Sequence, residues 1–213
     1  MRISWLGHAC FLLETNQGTR LITDPYEPGG YGGAVGYSPI NLEADIVTVS
    51  HQHADHNNIQ DFKNSLIVSE EGKTLVKNIE IKGTLSYHDK DKGQSRGENI
   101  IFTIWADGLK VVHFGDLGEK DIDLASFSDI DIAIVPVGGT FTIDAVEASQ
   151  LIREISPKIT IPMHYKTPKL GFDIDGVDKF LKANPDYEKK DFLEVNRDNI
   201  KLFKKIVVLK YQR

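Results

Sequence analysis

Residues 45–50 read Asp-Ile-Val-Thr-Val-Ser and run without a break into His51-Gln52-His53-Ala54-Asp55-His56. So continuous an apolar, β-branched run fits a strand covered on both faces, which requires a layered fold with a sheet inside it. Three imidazoles and a carboxylate follow within six residues. Neutral imidazole is the commonest metal ligand, and carboxylate suits the same divalent ions. A chain leaving the sheet at Ser50 projects His51 and His53 to one side, and a turn at Ala54 lets Asp55 and His56 face a neighbouring position. Four ligands in so short a loop crowd one tetrahedral site and serve two adjacent ions better. A solvated polar loop also accepts histidine and aspartate, but four together outweigh that reading.

The flanking sequence supplies the layers. Short apolar runs at 2–6, 10–14 and 20–23 predict strands, with Asn16-Gln17-Gly18 as a turn between the last two. Further strands are expected at 66–69, 80–87, 99–105, 110–114, 131–135, 158–162 and 206–211. A helix opens at Asp144, which has capping-box spacing to Glu147, and carries Val146, Leu151, Ile152 and Ile155 until Pro157 stops it. A second is expected over 174–183, with Val177, Phe180 and Leu181 on one side. Two packed sheets with helices outside satisfy that order. Residues 27–33 hold four glycines in seven and form a loop, either a mobile surface connection or a flap covering a substrate. No repeat or linker divides the chain, so residues 1–213 read as one domain.

Composition narrows the partners. The net charge of -6 argues against a nucleic-acid or acidic-membrane binder, whose domains carry a basic excess. Cys10 is the only cysteine, so no intrachain disulfide forms and a reducing compartment is favoured. The first residues carry no signal-peptide pattern, and apolar stretches such as 132–137 fall far short of the roughly 20 residues that cross a bilayer. The expectation is a cytoplasmic protein acting on a small molecule, with no nucleic-acid or membrane partner and no oligomeric state specified.

Four more histidines, His8, His88, His113 and His164, and two aspartates, Asp24 and Asp116, are further candidates, all but His113 at predicted strand ends or turns. His51-x-His53-x-Asp55-His56 after an apolar strand resembles the signature of the metallo-β-lactamase superfamily. Gly7-His8-Ala9 with Asp24-Pro25 resembles the opening of the branch that includes ascorbate-6-phosphate lactonase-like proteins. Gly115-Asp116 resembles the later aspartate motif, and Ile161-Pro162-Met163-His164 the final histidine. The resemblance implies a four-layer αβ/βα sandwich of two mixed sheets flanked by helices, with metals in the groove at the sheet edges. It also implies that His51, His53 and a third histidine hold one ion, that Asp55, His56 and His164 hold the other, and that Asp116 bridges them.

Two residues compete as the third histidine. His88 follows the strand ending at Tyr87 and precedes Asp116 by about the superfamily's interval, although Tyr87 stands where the family pattern sets a glycine. His113 lies inside a strand, three residues before Asp116; its other role is a buried, hydrogen-bonded residue lining the site. Asp24 is expected to hold the ligand loop by hydrogen bonds, since such partners fix imidazole orientation. His8 either lines the pocket or sits in the core, and Cys10 reads as a small core hydrophobe.

Two divalent ions, zinc first with manganese or iron as alternatives, would lower the pKa of a shared water from 15.7 towards about 7. Asp55 would orient the resulting hydroxide. The expected activity is therefore metal-dependent hydrolysis of a small ester, lactone or phosphate-bearing metabolite. The rival readings are a phosphodiesterase or nuclease, a di-iron redox protein, and a metal binder without catalysis. Lys166 and Lys169 could bind an anion or be solvated, and residues 138–142 could cradle phosphate or simply turn the chain into the helix.

Overall fold

The structure, a computed structural model, describes residues 1–119 and 121–213. It builds two sheets. The first has six strands in the order β13-β1-β2-β3-β4-β5. These are β1 (Arg2–Gly7), β2 (Cys10–Glu14), β3 (Arg20–Thr23), β4 (Ile46–Thr48), β5 (Leu66–Val68) and β13 (Leu193–Glu194). The second has eight, in the order β12-β14-β11-β10-β9-β8-β7-β6. They are β6 (Gly72–Val76), β7 (Ile79–Tyr87), β8 (Glu98–Ala106), β9 (Leu109–His113), β10 (Ile132–Pro136), β11 (Ile159–Met163), β12 (Tyr187–Lys190) and β14 (Ile206–Leu209). Both sheets mix parallel and antiparallel pairs: β3, β4 and β5 run parallel, as do β9, β10 and β11, whereas β1–β2–β3 and β6–β7–β8–β9 are antiparallel.

Side-chain alternation shows why the small sheet lies inside the molecule. Phe11, Leu13, Leu21 and Ile46 enter the core shared with the larger sheet, where Phe102, Ile104, Val111 and Ile134 meet them. Their neighbours Cys10, Leu12, Ile22 and Val47 point the other way, into a second core with Tyr26, Val35, Tyr37 and Phe62. Period-two alternation normally leaves one face wet; here both faces are apolar and both are covered.

The outer layers are thin. The helix Ala145–Ile155 packs on β10 and on the short helix Asp178–Ala183. Its start is a complete capping box, with Asp144 accepting from the N–H groups of Val146 and Glu147 and Glu147 accepting from that of Asp144. Such a cap contributes about 1 kcal/mol. The second core is closed by loops rather than by long helices. The expected helix over 174–183 is shorter because the Asp175 backbone pairs elsewhere, its N–H with the Gly138 carbonyl and its carbonyl with the Lys166 N–H. Residues 27–33 contain one tight turn, Gly30–Gly33, in which Tyr31 takes φ 52°. Strands β6, β12 and β13 had no counterpart among the expected elements.

The strand directions place the candidate residues together. The two-residue hairpin His8-Ala9 joins β1 to β2, Asp24 follows β3, and Ser50-His51 follows β4 closely, all on one edge of the smaller sheet. His88 follows β7, Asp116 follows β9, and His164 follows β11, all on one edge of the larger sheet. Cross-sheet hydrogen bonds join these edges: Ile100 N–H to the Ser50 carbonyl at 2.8 Å, and His164 N–H to the His8 carbonyl at 3.3 Å.

Candidate metal centre

The loop after β4 is shaped by Asp24. Its Oδ1 accepts the Ser50 N–H at 2.8 Å, and its Oδ2 accepts the Ser50 hydroxyl at 2.6 Å and His56 Nδ1–H at 3.0 Å. The Ser50 oxygen lies 2.9 Å from His51 Nδ1, which donates to it. One buried carboxylate therefore fixes two imidazoles, one directly and one through a hydroxyl, so that each turns Nε2 inward. Those Nε2 atoms, together with Asp55 Oδ1 and Asp116 Oδ1, are buried without a hydrogen-bond partner. Native interiors leave few polar atoms in that condition, and each points to an unseen partner.

Asp116 sits among the imidazoles. Its Oδ2 is 3.1 Å from His164 Nε2, 3.3 Å from His56 Nε2, 3.3 Å from His88 Nε2 and 3.9 Å from His51 Nε2. It is held there by Asn99, whose Oδ1 accepts the Asp116 N–H at 2.8 Å while its amide group donates to Ser86 Oγ and to the Phe114 carbonyl. Gly115 has φ +55°, and a Cβ there would fall on Asn99 Oδ1 and the Ser50 side chain. Gly118 likewise lets the loop lie against the His88 backbone, where any Cβ would collide.

The donors form overlapping groups. The candidate ligand atoms of His51, His53 and His88 lie within 4.8 Å of one another, as do those of His51, His56 and Asp116, and those of His8, Asp55, His56 and His164. His53 is half-buried and opens the cluster to solvent. His88, rather than His113, meets His51 and His53, with ring centroids 4.8 and 5.2 Å away. His113 has both nitrogens engaged elsewhere: Nε2–H donates to the Ala9 carbonyl at 2.9 Å, and Nδ1 accepts the Gly115 N–H at 3.2 Å.

His8 places Nε2 3.0 Å from Asp55 Oδ2 and packs against His164 in a tilted arrangement, 4.2 Å between centroids. Burial, reinforced by the neighbouring His164, lowers its pKa to about 4, so at neutral pH it is an uncharged donor to Asp55. Three of the residues that shape this edge, His8, Asp24 and His164, hold positive φ values of 55°, 40° and 50°. Such strain in non-glycine residues gathers where the surroundings over-determine a site.

The charges are unequally distributed. Burial would raise the Asp116 and Asp55 pKa values, but His164 and His56 for the first, and His56 and His8 for the second, outweigh it and hold both low. Burial would lower that of His56, yet Asp116 and Asp55 raise it well above the ordinary value. Burial keeps His51 and His88 low, and therefore neutral. Carboxylates in this site demand positive charge, and neutral imidazoles with free lone pairs surround them. That donor set fits a divalent cation of borderline hardness. Cys10, fully buried with its thiol pKa pushed up by burial, contributes no ligand.

Ser50 and Asn99 organise the centre, yet neither is marked in the sequence: one is a serine ending a strand, the other a buried polar residue in β8. Two other candidates have different duties. The Lys166 ammonium donates to the Phe172 carbonyl. The N–H groups of Gly139, Phe141 and Thr142 are spent within their own turn, on the Ile143 and Gly139 carbonyls.

A family model described as the beta-lactamase superfamily domain matches residues 2–164, a span that ends on His164. The chain is 31% identical over 212 residues to a UPF0173 metal-dependent hydrolase of Thermoplasma acidophilum, covering 87% of this chain and 88% of that one. It is 33% identical to a protein of the same name from Methanoculleus marisnigri, over 78% and 82% of the two chains. Among solved structures, a candidate Zn-dependent hydrolase from Thermotoga maritima superimposes with a TM-score of 0.79 at 37% identity, over 99% of both chains.

Proposed function

The chain belongs to the metallo-β-lactamase superfamily, and from that membership we propose that it is a metal-dependent hydrolase with a two-ion centre, contained in a single catalytic domain. His51, His53 and His88 would hold one ion, Asp55, His56 and His164 would hold the second, and Asp116 lies within reach of both groups. The observation that carries this reading is the set of buried, partnerless donor atoms on His51, His56, Asp55 and Asp116. Zinc is the first candidate for such nitrogen and carboxylate donors, with manganese and iron as alternatives. Bound divalent ions supply Lewis-acid polarisation of a scissile carbonyl or phosphoryl oxygen and lower the pKa of a nearby water.

The chain's own contribution is orientation. His8 donates Nε2–H to Asp55 Oδ2, which leaves Oδ1 free to face the reacting water and accept its proton. Asp24 keeps His51 and His56 in the tautomer that presents Nε2. Asn99 fixes the Asp116 backbone, which sets where its carboxylate starts from among the imidazoles. No side-chain nucleophile is needed, so the reaction is hydrolysis without a covalent enzyme intermediate. The substrate is a small ester, lactone or phosphate-bearing metabolite.

Removal of metal with a chelator should abolish turnover of an ester and lactone panel, and readdition should restore it. His53→Ala should lower metal content and turnover together. Activity that survives metal removal would refute the mechanism.

A further inference from the structure

Beside the centre runs a row of aromatic rings that none of the roles above employs. Phe172 packs edge-on to His8, with centroids 5.8 Å apart, and so adjoins the His8–Asp55 pair directly. Tyr31 meets Phe172 at 5.4 Å and Phe141 meets it at 5.9 Å, both edge-to-face. The Arg96 guanidinium lies over the outer face of Phe141 at 5.5 Å and closes the far end. Tyr31 is 54% exposed, in a chain whose large aromatics are otherwise mostly interior. The tight turn Gly30–Gly33 sets its backbone at a φ of 52°, a conformation that costs energy in a non-glycine residue, and its hydroxyl reaches Asp55 and the Ala54 backbone in the ligand loop.

That turn is not free to drift. The Glu27 N–H bonds the Ala54 carbonyl inside the ligand loop, the Gly36 N–H bonds the Lys169 carbonyl, and the Gly171 N–H bonds the Ala34 carbonyl. The last two bonds lace the turn to the segment that carries Phe172. Lys166 pins the same segment through the Phe172 carbonyl. The fold thus spends several hydrogen bonds on presenting an exposed tyrosine and a half-buried phenylalanine next to the candidate metal ligands.

The adjoining flank, which shares Arg96, differs. A cleft of about 750 Å³ beside His51 and His53 is lined by Glu70, Glu71 and Glu98, with Arg96 at its rim. Arg96 is the one lysine or arginine in that lining, so its side chains offer no basic cluster to an anionic substrate group. Lys166, the nearest basic residue beyond His164 in the chain, is turned to a carbonyl instead.

We propose that the substrate is a neutral ester or lactone bearing an aryl group, which Tyr31, Phe172 and Phe141 receive, and that phosphate-bearing metabolites are disfavoured. This rests on the hydrolase reading, since it assigns the space next to the same centre. Hydrolysis adds water across the acyl C–O bond: the oxygen of water joins the acyl carbon, the alkoxide leaves, and a proton passes to it, with no oxidant or co-reactant.

The test measures binding and turnover separately on metal-loaded protein. Benzohydroxamate and acetohydroxamate are chelating probes that differ in one ring, and calorimetry compares their affinities. The phenyl probe should bind about tenfold tighter, the scale of one well-made aromatic contact. The ratio should fall to about one to three in Phe172→Ala and Tyr31→Ala, with metal content reporting that the centre is intact; Phe172→Leu serves if the alanine variant does not fold. A para-phosphonate on the phenyl probe should not tighten binding. Equal affinity of the two parent probes, a ratio unmoved by the substitutions, or tighter binding of the phosphonate would each overturn the proposal. Phenyl and methyl esters assayed in parallel separate the two readings. A phenyl preference in binding with no hydrolysis of any ester would sink the hydrolase reading alone, whereas hydrolysis without phenyl preference would sink the aromatic subsite alone.

Discussion

Asp24→Asn changes one atom of the centre's support and reverses the direction of its hydrogen bonds. Oδ1 can still accept the Ser50 N–H at 2.8 Å. The amide nitrogen replaces Oδ2, which now accepts from the Ser50 hydroxyl at 2.6 Å and from His56 Nδ1–H at 3.0 Å. An amide there can only donate. His56 must then accept at Nδ1 and carry its proton on Nε2, the atom that faces the other ligands. The Ser50 hydroxyl, accepting from the amide, donates to His51 Nδ1 and drives that ring to the same unfavourable tautomer. Three charge-assisted hydrogen bonds become neutral ones, a loss of about 1.5–6 kcal/mol in stability, given about 1.5–3 kcal/mol for a charged and about 1 kcal/mol for a neutral bond. A loss in the middle of that range leaves the variant folded, since total stability is typically about 5–15 kcal/mol. Metal affinity should fall roughly 10–100-fold, or about 1.4–2.8 kcal/mol. Metal content after equilibration against graded chelator gives the affinity, and urea unfolding of the stripped protein gives the stability term. Wild-type stoichiometry and affinity in Asp24→Asn would show that imidazole tautomers are not set by this carboxylate.

Three further outcomes are expected. His88→Ala should lose metal, whereas His113→Leu should keep most of it and lose about 1–3 kcal/mol of stability, because it strands the Gly115 N–H while the Ala9 carbonyl keeps the Thr23 hydroxyl; metal analysis and urea denaturation would expose the reverse pattern. Gly115→Ala should destabilise by about 1–2 kcal/mol through its left-handed backbone alone, and should also weaken metal binding by displacing the Asn99 oxygen that holds Asp116, so an unchanged chelator titration would contradict that positioning role. Asp89 has its pKa lowered: burial opposes the shift, but the N–H groups of Arg96, Asp91, Ser95 and Gly93 outweigh it. Its contribution is therefore complete above the unfolded carboxyl pKa of about 3.9 and fades as pH falls through the lower folded value. The stability gap between wild type and Asp89→Asn should be constant from neutrality to about pH 5 and close below about pH 4; a gap that widened in acid would refute this.

The sequence by itself determined the local pieces: the buried strand Ile46–Thr48, the ligand run from His51 to His56, the capping box at Asp144 and most interior strands. Each is written in contiguous residues, because alternation, β-branching and cap spacing act over a few positions. It did not reveal the strands Gly72–Val76, Tyr187–Lys190 and Leu193–Glu194, which are short or carry few buried side chains, so their strand state depends on hydrogen bonds to a neighbour already in place. Choosing between His88 and His113 also needed tertiary structure, since each stands near the end of an apolar strand. Only the packing of two sheets shows that one meets His51 and His53 while the other spends both nitrogens on backbone groups. The aromatic row was equally hidden, because Tyr31, Phe141 and Phe172 lie in three separate loops. Spacing along the chain encodes which ligands exist; only the edges of the sheets, brought together by burial of their faces, decide which of them converge.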